Sequence, residues 1–223
     1  MIKFEKAEVM NFEGALRGMR NPLNSWDKSD SKFNVESSPT KMWLGANDRD
    51  LARRLIKAGS DHRKFLRQIF VSVDITAPLY WWKEFDTYKV ATVANSCSTM
   101  HRIHERDLTL DDFSHEHLFD GIDRVEGASD MEYYENPTRA LEYTIRVINY
   151  YRKKFIETKD KRYWWQMIQL LPSSYNQKRT VTFNYETLRN IYGSRHNHKL
   201  DEWRVGFMEW IESLPYAADL ITS

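Results

Sequence analysis

The residues best able to do chemistry in this chain are few and unevenly spread. Histidines fall in near pairs, His101/His104, His115/His117 and His196/His198. A His-x-His pair on a strand or turn can ligate zinc or iron, and Asp111, Asp112 and Glu116 beside His115 and His117 could complete such a set. A solvated polar loop accounts for the same residues, and no CxxC, HExxH or facial-triad spacing supports a metal. The single cysteine, Cys97, lies between Ser96 and Ser98, as either a nucleophile or a small packing residue. Neither GxGxxG nor GxxxxGK[ST] occurs, which disfavours a Rossmann site or a P-loop, and there is no GxSxG elbow.

The most specific stretch runs Leu171-Pro172, Thr182-x-Asn184, Leu188-x-Asn190, Arg195 and His198-x-x-x-Glu202-Trp203. A strand ending in Asn and running into a short helix puts Asn184 at a cap and Asn190 about two turns on. Arg195 then follows the helix, where a guanidinium can meet a phosphate or carboxylate bidentately. Taken alone, the pattern is also that of an ordinary capped helix with surface charge.

The elements that must position these groups read as follows. Ile2–Leu16 alternates loosely, as an edge strand leading into a helix or turn. Asn21–Lys41, rich in Asn, Ser, Asp and Pro without periodicity, is a long loop or arm. Asn47-Asp48 offers a cap to a helix over Arg49–Ala58, and Ser60–Arg67 could extend a helical hairpin. Ile69–Ile75 is β-branched and alternating, a buried strand, and Ala77-Pro78 opens a helix over Leu79–Thr92. Between Asn95 and Glu135 the pattern weakens. Asn136-Pro137-Thr138 caps a long helix, Asp160–Leu171 is another, Gln177–Phe183 a strand, Asn184 to Gly193 a short helix, and Lys199–Leu214 a final amphipathic helix. Strands mixed with helices in this order make an α+β fold.

Length and composition bound the rest. The chain has 223 residues, enough for one domain over 1–223 with a sizeable core. Lys+Arg 33 against Asp+Glu 32 removes the electrostatic case for non-specific nucleic-acid or anionic-membrane binding, so any basic site is local. One cysteine, no signal-like start and no long apolar run give the expectation of a cytoplasmic protein. The aromatic content, 14%, supplies core, subunit interface or stacking surface.

The stretch from Leu171 to Trp203 resembles the C-terminal signature of the flavin-dependent thymidylate synthases, also called thymidylate synthase complementing proteins. In that family a Leu-Pro is followed by a strand, Thr-x-Asn, a short helix with a second Asn, and an Arg that binds the substrate nucleotide. The two Asn fall on Asn184 and Asn190, and the Arg on Arg195. A second ungapped match places the family's strand, Ala-Pro and active-site helix on Phe70–Ile75, Ala77-Pro78 and Leu79–Ala91. What the resemblance implies is an α+β fold with a mixed or antiparallel sheet and long helices. It also implies active sites between the subunits of a homotetramer, and thymidylate synthesis from a deoxyuridine nucleotide (dUMP) with FAD and a methylenetetrahydrofolate one-carbon unit.

The family hallmark, Arg-His-Arg-x-x-Ser-x-Asn-Glu-x-Ser-x-Arg, becomes Thr87-Tyr88-Lys89-Val90-Ala91-Thr92-Val93-Ala94-Asn95-Ser96-Cys97-Ser98-Thr99. Glu84 stands at the family's Gln, and Ile168 at another family Arg. The matched register implies Asn184, Asn190, Thr87 and Lys89 toward the flavin, and Arg195, Glu84, Asn95 and Ser98 toward the nucleotide. Cys97, Lys89 and Tyr88 are the candidates for catalysis, with Cys97 as a covalent nucleophile or a mere space-filler. Two polyanionic ligands in one cleft need several cations to offset their desolvation. Lys89, Arg195 and Arg189 are the ones the sequence offers, so flavin binding is expected to be weak or absent. One nucleotide, or a less charged ligand stacked on Tyr88 or Trp82, remains feasible. The alternative is a pseudoenzyme or nucleotide-binding assembly protein on the same scaffold.

Overall fold

The computed structural model describes residues 2–38, 41–88, 90–120 and 136–223. Lys89, and the part of the weakly patterned stretch from 121 to 135, lie outside the described residues. Strand β1 (Lys3–Met10) leads into helix α1 (Phe12–Arg20), whose buried face is Phe12, Ala15, Leu16, Met19 and Arg20. Short strands β2 (Lys32–Phe33) and β3 (Met42–Trp43) pair antiparallel, and α2 (Ala46–Ala58) follows. A 3₁₀ segment over Lys64–Gln68 precedes β4 (Phe70–Pro78) and α3 (Leu79–Phe85). Then come β5 (Val93–Ser96), α4 (Thr99–Arg102), α5 (Pro137–Thr158), α6 (Lys161–Leu170), β6 (Asn176–Asn184), α7 (Tyr185–Arg195), α8 (Met208–Glu212) and α9 (Ala217–Leu220). The main sheet has four strands in the order β1-β4-β6-β5, so β1 is an edge strand, as its loose alternation predicts. The fold is α+β, and no helix among the described residues is long and apolar enough to cross a membrane.

The chain forms two compact units. One, of residues 76–83 and 96–178, is built on α5 and α6 around Leu141, Ile145, Ile148 and Met167 with Ile103, Leu108 and Phe113. Asn136 starts α5 by accepting a hydrogen bond from the Arg139 N–H at 3.0 Å, with Pro137 in the first turn, where its missing N–H costs nothing. Asn136 is buried, so Asn136→Ala is expected to lower stability by about 1 kcal/mol. A downward shift of the urea midpoint with an unchanged slope checks it.

The other unit, of residues 2–75, 84–95 and 179–223, holds an aromatic core. Trp203, Phe207, Phe85 and Phe183 are all essentially inaccessible, with Trp203 stacked on Phe85 and edge-on to Phe207. Here the expected helix over Lys199–Leu214 is instead a π-helical segment, Glu202–Phe207, followed by α8. The extra residue per turn lets Gly206 lie against Ile2, where a Cβ would come within 2.4 Å of the Ile2 side chain.

Residues 29–31 of the expected loop are tied down. Asp48 is fully buried in the first turn of α2. It accepts from Arg20 Nε at 2.6 Å and from the hydroxyls of Ser29 and Ser31 at 2.7 and 2.6 Å. The expected cap Asn47-Asp48 therefore sits inside the helix. Asp30, from the loop, takes the N–H groups of Asn47 and Asp48, and Gly45 alone leaves it room, since a Cβ there would lie 2.1 Å from the Asp30 carboxylate.

Candidate functional site

The expected helix from Leu79 to Thr92 stops at Phe85. Thr87 donates its hydroxyl to the Glu84 carbonyl at 2.7 Å, and its N–H reaches the same oxygen at 3.1 Å, which diverts the acceptor that a continuing helix would use. The chain turns there, with the Tyr88 N–H on the Phe85 carbonyl, and passes through a left-handed Ala91. Glu84, Thr87 and Tyr88, which at i, i+3 and i+4 would share one face of a continuing helix, lie instead on the turn that ends α3.

Arg195 arrives from α7. Asn184 starts that helix by accepting the Thr187 N–H at 2.9 Å, as its position after the strand predicts. The helix runs two residues past Gly193, so Arg195 is its last residue rather than one beyond it. Its guanidinium lies near two rings that tilt against each other, 5.5 Å from the Tyr88 centroid and 5.1 Å from that of Trp203, with a cation–π contact to each. Arg195 Nε donates to the Tyr88 hydroxyl at 2.7 Å and Nη1 to Glu84 Oε2 at 3.0 Å. The same Glu84 oxygen lies 3.1 Å from His198 Nε2. Glu84, Tyr88, Arg195, His198 and Trp203 thus form one constellation. The sequence match implies a ligand at the first three, whereas His198 stands out in the sequence as half of a histidine pair and at the head of His198-x-x-x-Glu202-Trp203, with no role attached.

The pair itself comes apart. His196 turns its Nδ1 to the carbonyls of its own helix, and the His115 Nδ1 lies 2.9 Å from the Phe113 carbonyl. No group of three or more His, Cys, Asp or Glu among the described residues is arranged to hold a metal ion.

Beside Tyr88 lies a cavity of about 620 Å³ lined by Arg63, Arg67, Thr87, Tyr88, Asn184 and Asn190 among others. Thr87 and the two asparagines, expected at a flavin, therefore share one cavity. Arg63 and Arg67, which sequence reasoning did not single out, join them from the start and the interior of the 3₁₀ segment before β4. The signal was the basic run His62-Arg63-Lys64 with Arg67 four residues after Arg63. Arg63 is held by Glu186, its Nε 3.0 and 3.1 Å from the two carboxylate oxygens.

The remaining expected residues are placed by local structure. Asn95 is exposed on β5. Ser98 caps the short α4, its hydroxyl accepting the His101 N–H at 3.2 Å. Cys97 is exposed, its N–H on the Lys178 carbonyl and its own carbonyl accepting from Gln177, so it fills no core space. Trp82 is fully buried with its Nε1 on the Gln177 carbonyl, which removes it as a stacking face for a ligand.

No protein-family model matches this sequence, and no curated protein does. Among solved structures, thymidylate synthase X (ThyX) from Helicobacter pylori, determined with FAD and dUMP, superposes with a TM-score of 0.65 at 13% identity, over 100% of this chain and 98% of that one. The UMP/dUMP methylase PolB from Streptomyces cacaoi, bound with 5-Br UMP, superposes with a TM-score of 0.61 at 14% identity, over 100% of this chain and 94% of that one. At these identities the likeness is one of fold, and it agrees with the fold expected from the sequence match.

Proposed function

We propose that this protein, built on the fold of the flavin-dependent thymidylate synthases, binds a deoxyuridine-type nucleotide with Arg195 as its phosphate partner. The observation that carries the reading is the clamped guanidinium. In cation–π contact with Tyr88 and Trp203 and anchored through Nε and Nη1, Arg195 is oriented in advance, and its Nη2 keeps no hydrogen bond among the described residues. Two structures of the same fold were determined with uridine-type nucleotides, dUMP and 5-Br UMP. When bound, FAD would supply the hydride of thymidylate synthesis. Thr87, Tyr88, Asn184 and Asn190 are the residues of this chain that would line its site. The homotetramer of the resembled family belongs to the same reading, and a monomer by light scattering at micromolar concentration would remove it.

A second reading, nucleotide binding without redox chemistry, is favoured by one observation. Glu84 already occupies Arg195, so an incoming phosphate must compete with a carboxylate. Calorimetry with dUMP tests the first reading, and heat without a flavin band in the purified protein would select the second. Absence of dUMP binding would sink both. Glu84→Gln is expected to tighten dUMP binding by about 0.5–1 kcal/mol, since the amide can still accept from Arg195 but no longer neutralises it, and the pair is only partly buried. Calorimetry on the variant reads this directly.

A further inference from the structure

The near-zero charge of the whole chain hides an uneven distribution. Residues 137–170, which span α5 and α6, carry eight Lys and Arg against three Asp and Glu, while the rest of the chain carries 25 against 29. Three of the eight cations are paired, Arg152 with Asp107, Lys154 with Glu157 and Arg162 with Asp160. Arg146, Lys153, Lys159 and Lys161 form no ion pair among the described residues. Leu141, Ile145 and Ile148 fix the inner face of α5 in the core of its unit. Arg139, Tyr143, Arg146, Tyr150 and Lys154 follow one another at steps of three or four residues, so they share the opposite face. Cation and ring alternate along it over about 22 Å. The Arg146 guanidinium lies 5.4 Å from the Tyr143 centroid and Lys154 Nζ 6.0 Å from that of Tyr150, yet the two tyrosines stay 61% and 55% exposed. Lys161 repeats the arrangement on α6, 6.0 and 5.7 Å from the centroids of Trp164 and Trp165.

We propose that this outward face of α5 binds single-stranded nucleic acid, with Tyr143 and Tyr150 stacking on bases and Arg146, Lys153 and Lys154 meeting phosphates. The proposal is independent of the nucleotide reading above, since it uses none of the residues around Arg195. Cations alone would meet any polyanion, and exposed rings alone any flat or apolar surface. Rings and cations alternating on one face match a polymer that offers a planar base and a charged phosphate in every repeat. A duplex keeps its bases stacked on one another and offers rings no free face except at its ends. A second copy presenting the same face would set like charges against each other, which disfavours a two-fold contact through α5.

The test is fluorescence anisotropy of the full chain with a labelled oligothymidylate of about 12 nucleotides and with the matching duplex. It is run on the wild type, on Arg146→Gln and on the double variant Tyr143→Ala/Tyr150→Ala. All three side chains are exposed, so both variants are expected to fold with an unchanged urea midpoint. The single strand should bind the wild type, and the double variant should weaken it by about tenfold or more, the scale of lost base stacking. Arg146→Gln should flatten the log–log dependence of affinity on salt by about 0.7, the share of one phosphate contact on a single strand. No single-strand binding by the wild type at about 50 mM salt, equal binding by the double variant, or an unchanged salt slope in Arg146→Gln overturns the proposal. A duplex bound as tightly as the single strand also overturns it, because stacking would then contribute nothing. Light scattering reads the rival occupant. An assembly that the double variant dissociates makes this face a contact between copies of the chain and overturns the proposal, whereas an unchanged mass leaves the face to the polymer.

Discussion

Asp48→Ala is expected to cost about 3–5 kcal/mol of folding stability, the penalty for leaving a buried charge without its partner. The stranded group is Arg20, 3% exposed, whose Nε loses its carboxylate while its other bonds, to the carbonyl and hydroxyl of Ser25 at 3.1 and 3.4 Å, replace no charge. Ser29 and Ser31 lose their shared acceptor in the same step, which frees the loop from the first turn of α2. Urea denaturation of the two proteins reads the difference, and a loss below about 1 kcal/mol would show that the network contributes little. The pH dependence has a defined sign. Burial alone would raise the Asp48 pKa, but hydrogen bonds from Ser31, Ser29 and Arg20 outweigh it and hold the carboxyl below its ordinary value. A depressed folded pKa contributes stability that is complete above the unfolded value, near about 3.9, and is lost as pH falls through the folded one. The wild type should therefore lose stability more steeply than Asp48→Ala in acid below about pH 4.

Arg195→Ala is expected to weaken dUMP binding by about 1.5–3 kcal/mol, the scale of a charged hydrogen bond removed from a prepared site. Arg195→Lys should recover little of it, because an ammonium keeps the charge but neither the planar fork nor its paired bonds to the Tyr88 hydroxyl and Glu84. Trp203 is part of the aromatic core, so one of the two rings beside Arg195 is fixed by core packing. Titration of the three proteins with dUMP checks the order, and equal affinities would remove Arg195 as the phosphate partner. The opposite sign expected for Glu84→Gln makes the pair of variants informative together. One removes the cation, and the other removes only its competitor.

Elements set by local interactions were legible in the residues themselves. Asn136 and Asn184 each accept an N–H three residues ahead, and a cap of that kind is written in a few consecutive positions. The β-branched alternation within β4 and β6 likewise reports burial on neighbouring strands without knowledge of which strands they are. The register over Leu171–Trp203 was enough to mark Asn184, Asn190 and Arg195. Interactions across long separations were not legible. Glu84 and Arg195 lie 111 residues apart, and Arg63 and Glu186 123 apart, so no spacing in the chain announces either pair. The Asn, Ser and Asp of residues 21–41 carry no period because they do not line a face. Ser29, Asp30 and Ser31 are fasteners whose partners lie at the start of α2. The end of α3 at Phe85 shows the same division. Thr87 alone does not stop a helix, and the Leu79–Thr92 pattern looks continuous. The turn around Tyr88 places its ring against Arg195 and Trp203, and those contacts exist only once α7 and the π-helical segment have folded beside it. Sequence alone determined which local elements form and which residue types are available, because caps and alternation act over a few positions. Only the tertiary structure decided which cations, carboxylates and rings meet, because those contacts depend on packing between segments far apart in the chain.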